Sequence, residues 1–442
     1  MFRRPAGGMS RRDFLKSAGA MAGGIAASGA LPFASIAQSD MSGALQWNTN
    51  HNTLSVNDFK IVIENFNEEF PDIAINLINH GDSEQYYTQI NTAGVAGTLP
   101  DLFYVRSFDV APFGGRGWIH PLNDLMARDG MDLSDFWPAQ VAQNSYEGQL
   151  MTLPYDFSNW AIYYNKTMFD EFGVPYPTDD WTWDECFEIA AAFQEGDPSE
   201  QTRWGLEMHQ WPWLIMGLLH AGGGAIYTDD YRHCIVNNPE NVATLQRLQD
   251  EMAAGNVVHR GNTPAGLDPF LTGNIAMEVQ GSWAAYYILD GIGDSFEWDI
   301  VKFPRGSTGL SAVSAAGGAW GIATNTADLD VAWEFCKYIT NTESTNILIS
   351  NQLRSLPGRL SSVPRWEEVA GTDIWKGRKV QVFTDQMLND AINWSYPVYQ
   401  GEFDAAWNAR IISVFEGNDP EEMLRQVEEE ANAAADRYFE DE

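Results

Sequence analysis

Gly148-Gln-Leu-Met-Thr-Leu-Pro154, followed by Ile162-Tyr-Tyr-Asn-Lys166, Phe172-Gly-Val-Pro175 and Trp181-Thr-Trp-Asp-Glu185, is the stretch on which the fold turns. Tyr163-Tyr-Asn opens an α/β pattern, and Trp183 to Phe193 has helical apolar spacing with Thr182 placed as its N-cap. Working back toward the N-terminus, Ala44-Leu-Gln-Trp-Asn-Thr reads as a strand. Val56 to Phe70 reads as a helix with apolar positions Phe59, Val62, Ile63, Phe66 and Phe70. Ile73 to Ile78 alternates as a second strand, Ser83 to Ala96 as a helix and Asp101 to Val105 as a buried strand. Strand–helix–strand–helix–strand predicts a parallel sheet covered by helices on both faces. Such sheets bind ligands beyond the carboxyl ends of their strands, which singles out Trp47, Asn48, Arg106 and Asp109.

Toward the C-terminus the pattern continues with a helix near Asn241 to Ala254, a strand entering Gly281-Ser-Trp283, a strand around Gly317 to Ile322 and a helix from Val331 to Ile339. A charged helix from Pro420 to Tyr438 presents a solvated Glu/Arg face. No internal repeat or low-complexity linker interrupts the chain.

Composition narrows the function. The 442 residues carry 61 Asp+Glu against 26 Lys+Arg, a formal charge of −35. Residues 1–37 hold five basic side chains and one acid, so the remainder carries −39. A surface of that sign repels nucleic acid and anionic lipid. Only seven of the basic residues are Lys, and low Lys with abundant carboxylate suits salty water, where self-repulsion is screened. Cys186, Cys234 and Cys336 lie far apart without metal spacing and read as small buried hydrophobes. No nucleophile elbow, zinc motif or Walker loop appears, and the seven His form no cluster, so no catalytic site, metal or cofactor is expected. Acidic residues are too numerous for their count to exclude a paired-carboxylate glycosidase, which stays as a remote alternative.

The N-terminus carries Ser10-Arg-Arg-Asp-Phe-Leu-Lys16, an Ala/Gly-rich run from Ser17 to Ala30, and Ala34-Ser-Ile-Ala37. Paired arginines before Phe14-Leu15 resemble the twin-arginine export signal, with cleavage near Ala37. The resemblance implies handling by the twin-arginine translocation machinery, folding before export and a soluble periplasmic form.

The block from Gly148 to Glu185 resembles the signature region of the extracellular solute-binding proteins that feed ABC sugar importers, the maltose-binding-like family. Leu99-Pro-Asp101, Phe270 to Trp283, Gly317 to Ile322 with Ala332-Trp-Glu-Phe335, and Gly417 with Pro420-Glu-Glu follow the family's order. The resemblance implies an α/β, two-lobed periplasmic-binding-protein fold with three crossings between lobes and a ligand cleft between them. By that likeness the crossings fall near Phe157-Ser158, near Lys302-Phe303 and between about Thr345 and Leu356. After a signal at 1–37, the first lobe would then comprise 38–156 and 304–345, and the second 157–303 and 346–442. The implied function is capture of a di- or oligosaccharide by a monomer and its delivery to membrane permease subunits. A related branch binds glycerol 3-phosphate or glycerophosphodiesters, which is the second reading.

Sugars offer flat C–H faces to aromatic rings and hydroxyls to polar side chains. The ring candidates are the aromatics beside turns: Trp283 after Gly281-Ser, Trp211 and Trp213 around Pro212, Trp320 after Gly317-Gly-Ala, and Trp394 with Tyr396 in Asn393-Trp-Ser-Tyr-Pro397. Asn159 lies at the expected first crossing. Trp181, Trp183, Trp333 and Trp407, in or beside helices, are assigned to the core.

Overall fold

The computed structural model describes residues 41–440 apart from 52, 82, 195–201, 261–267, 312 and 394. The export signal and Trp394 therefore lie outside the described residues. In chain order the elements used below are β1 (Gly43–Thr49), α1 (Thr53–Glu69), β2 (Ile73–Asn79), α2 (Ser83–Ala96), β3 (Leu102–Arg106), α3 (Ser107–Gly115) and β4 (Thr152–Asn165). There follow α4 (Trp183–Ala191), β5 (Trp204–Met208), α5 (Pro212–Ala221), β6 (Val257–His259), β7 (Ile275–Gly281), α6 (Ala285–Ile292), β8 (Trp298–Lys302), β9 (Val313–Ile322), α7 (Leu329–Ile339), β10 (Leu356–Pro357), β11 (Ala391–Asn393) and α8 (Pro420–Phe439). Among the described residues no helix is long and apolar enough to cross a membrane.

The chain forms two compact units, one of residues up to Phe157 plus Ala316–Val369 and one of Ser158–Ala315 plus the residues from Ala370 onward. The chain thus passes between units three times. The first passage lies between Phe157 and Ser158. The second falls after Ala315, inside β9, where a crossing near Lys302-Phe303 was expected. The reason is that β9 is one continuous strand serving both units. Its Val313–Ala315 pairs with β11, and its Gly318–Ile322 pairs with β3. The third passage follows Val369, later than the expected 345–356 segment, because β10 stays with the first unit by pairing Leu356 and Pro357 with Phe157 and Asp156 of β4.

In the first unit β2, β1 and β3 are parallel, and β9 adds antiparallel to β3. The α1 stripe of Phe59, Val62 and Phe66 is buried on this sheet with Trp47, Trp320 and the α7 residues Trp333, Phe335, Cys336 and Ile339. That 3.6-residue stripe is what makes α1 a helix packed on a sheet rather than a free segment. In the second unit β7 and β8 flank β4 antiparallel, and β7, β5 and β6 run parallel to one another. The sheet's cover begins with α4. Thr182 Oγ1 accepts from the Glu185 amide at 3.2 Å and Glu185 Oε2 accepts from the Thr182 amide at 2.7 Å, a reciprocal capping box. Gly205 lets α4 reach β5, since a Cβ there would stand 2.0 Å from the Ala190 carbonyl oxygen. Helix α8 buries Met423, Leu424, Val427 and Ala431, and leaves Arg425 paired with Glu422 and Glu429 on its outer face. All three cysteines are free and buried.

Candidate binding site

The strands β5, β6 and β7 point their carboxyl ends the same way, and the residues just past those ends differ from the apolar core behind them. After β5 come His209, Gln210 and Trp211, after β6 comes Arg260, and after β7 come Ser282 and Trp283. Pro212 starts α5 as its first residue, which fixes Trp211 as the N-cap in extended conformation and sends Trp213 into the first turn. Gly281 is required by its neighbour: a Cβ there would lie 2.0 Å from the Trp283 ring, so only glycine lets that indole lie back over the strand end.

These segments assemble an aromatic wall. Trp213 and Trp283 stack with ring centroids 5.4 Å apart and planes 29° apart. Trp160, from β4, meets Trp213 at 4.8 Å and presents an edge contact to Trp283 at 4.9 Å. Trp211 stacks on His209 at 4.1 Å and is 40% exposed. Trp213 and Trp283 are half-buried, whereas Trp160 is sealed. Trp160 Nε1, Trp213 Nε1, Gln210 Oε1 and Ser282 Oγ are buried and have no hydrogen-bond partner in the protein. Trp47 Nε1 and Trp320 Nε1 in the first unit's core are likewise without a partner, so these orphans alone do not mark a ligand site.

Beside the wall runs a polar row. Arg260 Nη1 donates to His209 Nε2 at 2.9 Å and to Glu278 Oε1 at 3.0 Å, and Nη2 donates to Asp268 Oδ2 at 2.7 Å. Gln280 Nε2 lies 3.2 Å from His209 Nε2, 3.1 Å from Glu278 Oε1 and 3.1 Å from the Tyr287 hydroxyl. Two donors converge on His209 Nε2, which makes it the acceptor and puts the ring proton on Nδ1. Burial first, then the Arg260 charge, holds His209 well below the ordinary histidine range, so the ring is neutral. Burial pulls Arg260 down, but Glu207, Glu278 and Asp268 outweigh it and keep the guanidinium charged.

The first unit finishes its strands differently. Asn48, at the end of β1, exchanges side-chain contacts with Gln46 at 3.2 Å and His80 at 3.3 Å. Arg106, the last residue of β3, donates Nε to Asp109 Oδ2 at 2.6 Å and lies over the Tyr87 ring at 3.5 Å. Asp109 occupies the first turn of α3, where a carboxylate suits the helix N-terminus.

The structure brings together Trp211, Trp213 and Trp283 of the expected ring candidates. Two others are corrected. Trp47 and Trp320 are fully buried in the first unit's core, with centroids 5.1 Å apart, and present no face to a ligand. Trp47 is the first of three consecutive buried positions, and Trp320 sits in the middle of a strand covered on both faces. Asn159 is also fully buried, donating its amide to the Phe383 carbonyl at 2.9 Å, and alternation along β4 puts it on the face opposite Trp160. Tyr396 is nearly buried, and burial pushes its hydroxyl up. His209, Arg260, Glu278, Gln280 and Trp160 were not among the expected residues. The signal for them was acid in apolar strands: Leu206-Glu-Met and Met277-Glu-Val each place a carboxylate where periodicity calls for core. Trp181, Trp183, Trp333 and Trp407 are buried as expected.

Two α/β units joined by three chain passages, with aromatic and polar groups gathered at strand ends, describe a mixed α/β periplasmic binding protein. The chain belongs to the bacterial extracellular solute-binding protein family, whose model matches residues 53–346, and the family is non-catalytic. Among curated relatives, the chain is 23% identical over 400 residues to a lactose-binding protein of Rhizobium radiobacter, covering 87% of this chain and 90% of the relative. It is 22% identical over 265 residues to a sn-glycerol-3-phosphate-binding periplasmic protein of Pectobacterium atrosepticum, covering 58% and 59%. Among solved structures it superposes on an ABC substrate-binding protein of Listeria monocytogenes in complex with cycloalternan, with a TM-score of 0.81, 20% identity and coverage of 89% and 99%. It also superposes on a Mycobacterium tuberculosis protein in complex with glycerophosphocholine, with a TM-score of 0.77, 20% identity and coverage of 90% and 99%.

Proposed function

We propose that this protein captures an uncharged di- or oligosaccharide in the periplasm and hands it to the permease of an ABC importer. The observation that carries this reading is the aromatic wall of Trp211, Trp213 and Trp283 beside the row His209, Arg260 and Gln280. Ring faces supply the stacking surface for sugar C–H groups, and the row supplies hydroxyl partners. Asn48, Arg106 and Asp109, at the strand ends of the first unit, are polar groups able to meet sugar hydroxyls. Residues 1–37 direct export through the twin-arginine machinery with cleavage near Ala37, and the exported chain acts as a monomer without a cofactor.

The glycerol phosphate reading needs cationic donors free to meet a phosphate. On the second unit's face Arg260 is already engaged by Glu278 and Asp268, with Glu207 at 3.7 Å, which favours a neutral ligand. A thermal-shift panel tests the choice, using mono-, di- and oligosaccharides and glycerol 3-phosphate. A true ligand at about 100 times its Kd stabilises the fold by about 2.7 kcal/mol. A shift with one sugar class supports the proposal. A shift with glycerol 3-phosphate alone replaces it with the second reading, and reducing sugar released during incubation would revive the glycosidase.

A further inference from the structure

The buried face behind the polar row holds more acid than its one arginine can neutralise. Glu207 and Glu278 are register partners on the parallel strands β5 and β7, so their side chains leave the same face of the sheet. Both are fully buried. A carboxylate oxygen of each and a ring nitrogen of His209 lie within 4.8 Å of one another. Asp268 is the third carboxylate, and among the described residues Arg260 is the one cation paired with any of the three. Fully ionised, the group would carry two uncompensated negative charges out of water, at several kcal/mol for each ion.

The hydrogen bonds locate the imbalance. Asp268 is satisfied by Arg260 and by the Phe270 amide at 3.0 Å. Both oxygens of Glu207 and Oε2 of Glu278, by contrast, have no donor. A proton between the two glutamates removes one charge and turns two orphaned acceptors into an O–H···O bond, as happens wherever two carboxylates share one site. A metal ion is the other solution, but Arg260 Nη1 already stands where such an ion would draw in His209 and Glu278.

We propose that Glu207 and Glu278 share one proton at neutral pH and act as positioning residues, fixing Arg260 and, through it, the His209 ring on which Trp211 stacks. The functional consequence rests on the reading of this face as the ligand platform, whereas the shared proton does not. Burial first, then Glu207 and Asp268, pushes Glu278 above the ordinary carboxyl range, and burial pushes Glu207 up against the pull of Arg260. The groups facing the pair are Asp268, Arg260, His209, Gln280, Tyr163 across from Glu278 on β4, and Tyr287 on α6. A carboxyl raised by folding keeps its proton at low pH, so the arrangement is intact there and is lost as pH rises past the pair's own titration.

The test uses the ligand-free chain, so its outcome is independent of which sugar binds. Infrared spectra of the wild type at neutral pH are expected to show a protonated-carboxyl C=O band that is absent from Glu207→Gln and Glu278→Gln. Raising the pH from about 6 to about 10 is expected to abolish the band together with a change in tryptophan emission that Trp211→Phe lacks. Glu207→Gln, whose amide can donate to Glu278 as the shared proton does, is expected to keep the low-pH emission at every pH. Glu207→Ala is expected to lose it throughout. No band at neutral pH in the wild type, or a band surviving in both Gln variants, overturns the shared proton. Emission indifferent to Glu207→Ala and to pH overturns the positioning role. A band that appears only after dialysis against EDTA shows that the pair holds a metal instead.

Discussion

At the ends of β1 and β3 in the first unit, polar side chains answer one another: Asn48 meets His80, and Arg106 is held by Asp109 and Tyr87. The tryptophans nearby, Trp47 and Trp320, are sealed in the core. At the ends of β5, β6 and β7 in the second unit the reverse holds. Trp211, Trp213 and Trp283 keep accessible faces. Trp47 and Trp320 are core residues of the first unit, whereas Trp211, Trp213 and Trp283 of the second keep exposed ring surface beside other tryptophans that are sealed.

Trp320→Ala empties a core position and is expected to cost about 3–5 kcal/mol of stability, read by denaturant unfolding, with sugar affinity of the folded fraction unchanged. A selective loss of affinity at full stability would break the contrast. Trp211→Ala removes an exposed platform ring and is expected to weaken sugar binding by about 1–1.5 kcal/mol, roughly tenfold in Kd by calorimetry, with little change in the unfolding midpoint. Arg106→Ala removes at most a hydrogen bond or two to a ligand and frees Asp109. A loss of about 1 kcal/mol in affinity is expected, and a hundredfold loss would mean that the first unit carries an anchor of its own.

The first unit's strands β1, β2 and β3 with helices α1 and α2, and α4 of the second unit, were legible from apolar spacing and punctuation, whereas β5 and β6 went unread. Thr182 ahead of Trp183 with Glu185 three positions on announces a capping box, and Phe59, Val62 and Phe66 announce a helix on a sheet. The continuity of β9 was not legible. Nothing local in Val313 to Ile322 says that its two ends pair with different partners, β11 and β3, and that is what moves the second chain passage to Ala315. In the site, the turn-flanking rule found Trp211, Trp213 and Trp283 because Pro212 and Gly281 shape the backbone there. At Trp320 the neighbours Gly317 and Gly318 mark close packing rather than a turn, and Trp47, singled out as a strand-end residue, lies in the core. Gly318 has no room for a Cβ because the Tyr104 hydroxyl would lie 1.9 Å from it. The polar row was unreadable for a different reason. His209, Arg260 and Gln280 are separated by tens of residues and meet only through the parallel register of β5, β6 and β7, which no local pattern fixes.

The claim that the second unit's aromatic wall is the ligand platform is tested most directly by calorimetric titration of the wild type and Trp283→Ala with the sugar that gives the largest thermal shift. Trp283 stacks on Trp213 and contacts Trp160, so its removal opens the centre of the wall. Saturable binding in the wild type, weakened by about 2 kcal/mol or roughly 30-fold in the variant with its unfolding midpoint near that of the wild type, is the predicted result. Equal affinity in the two proteins would contradict it and would place the ligand elsewhere on the molecule.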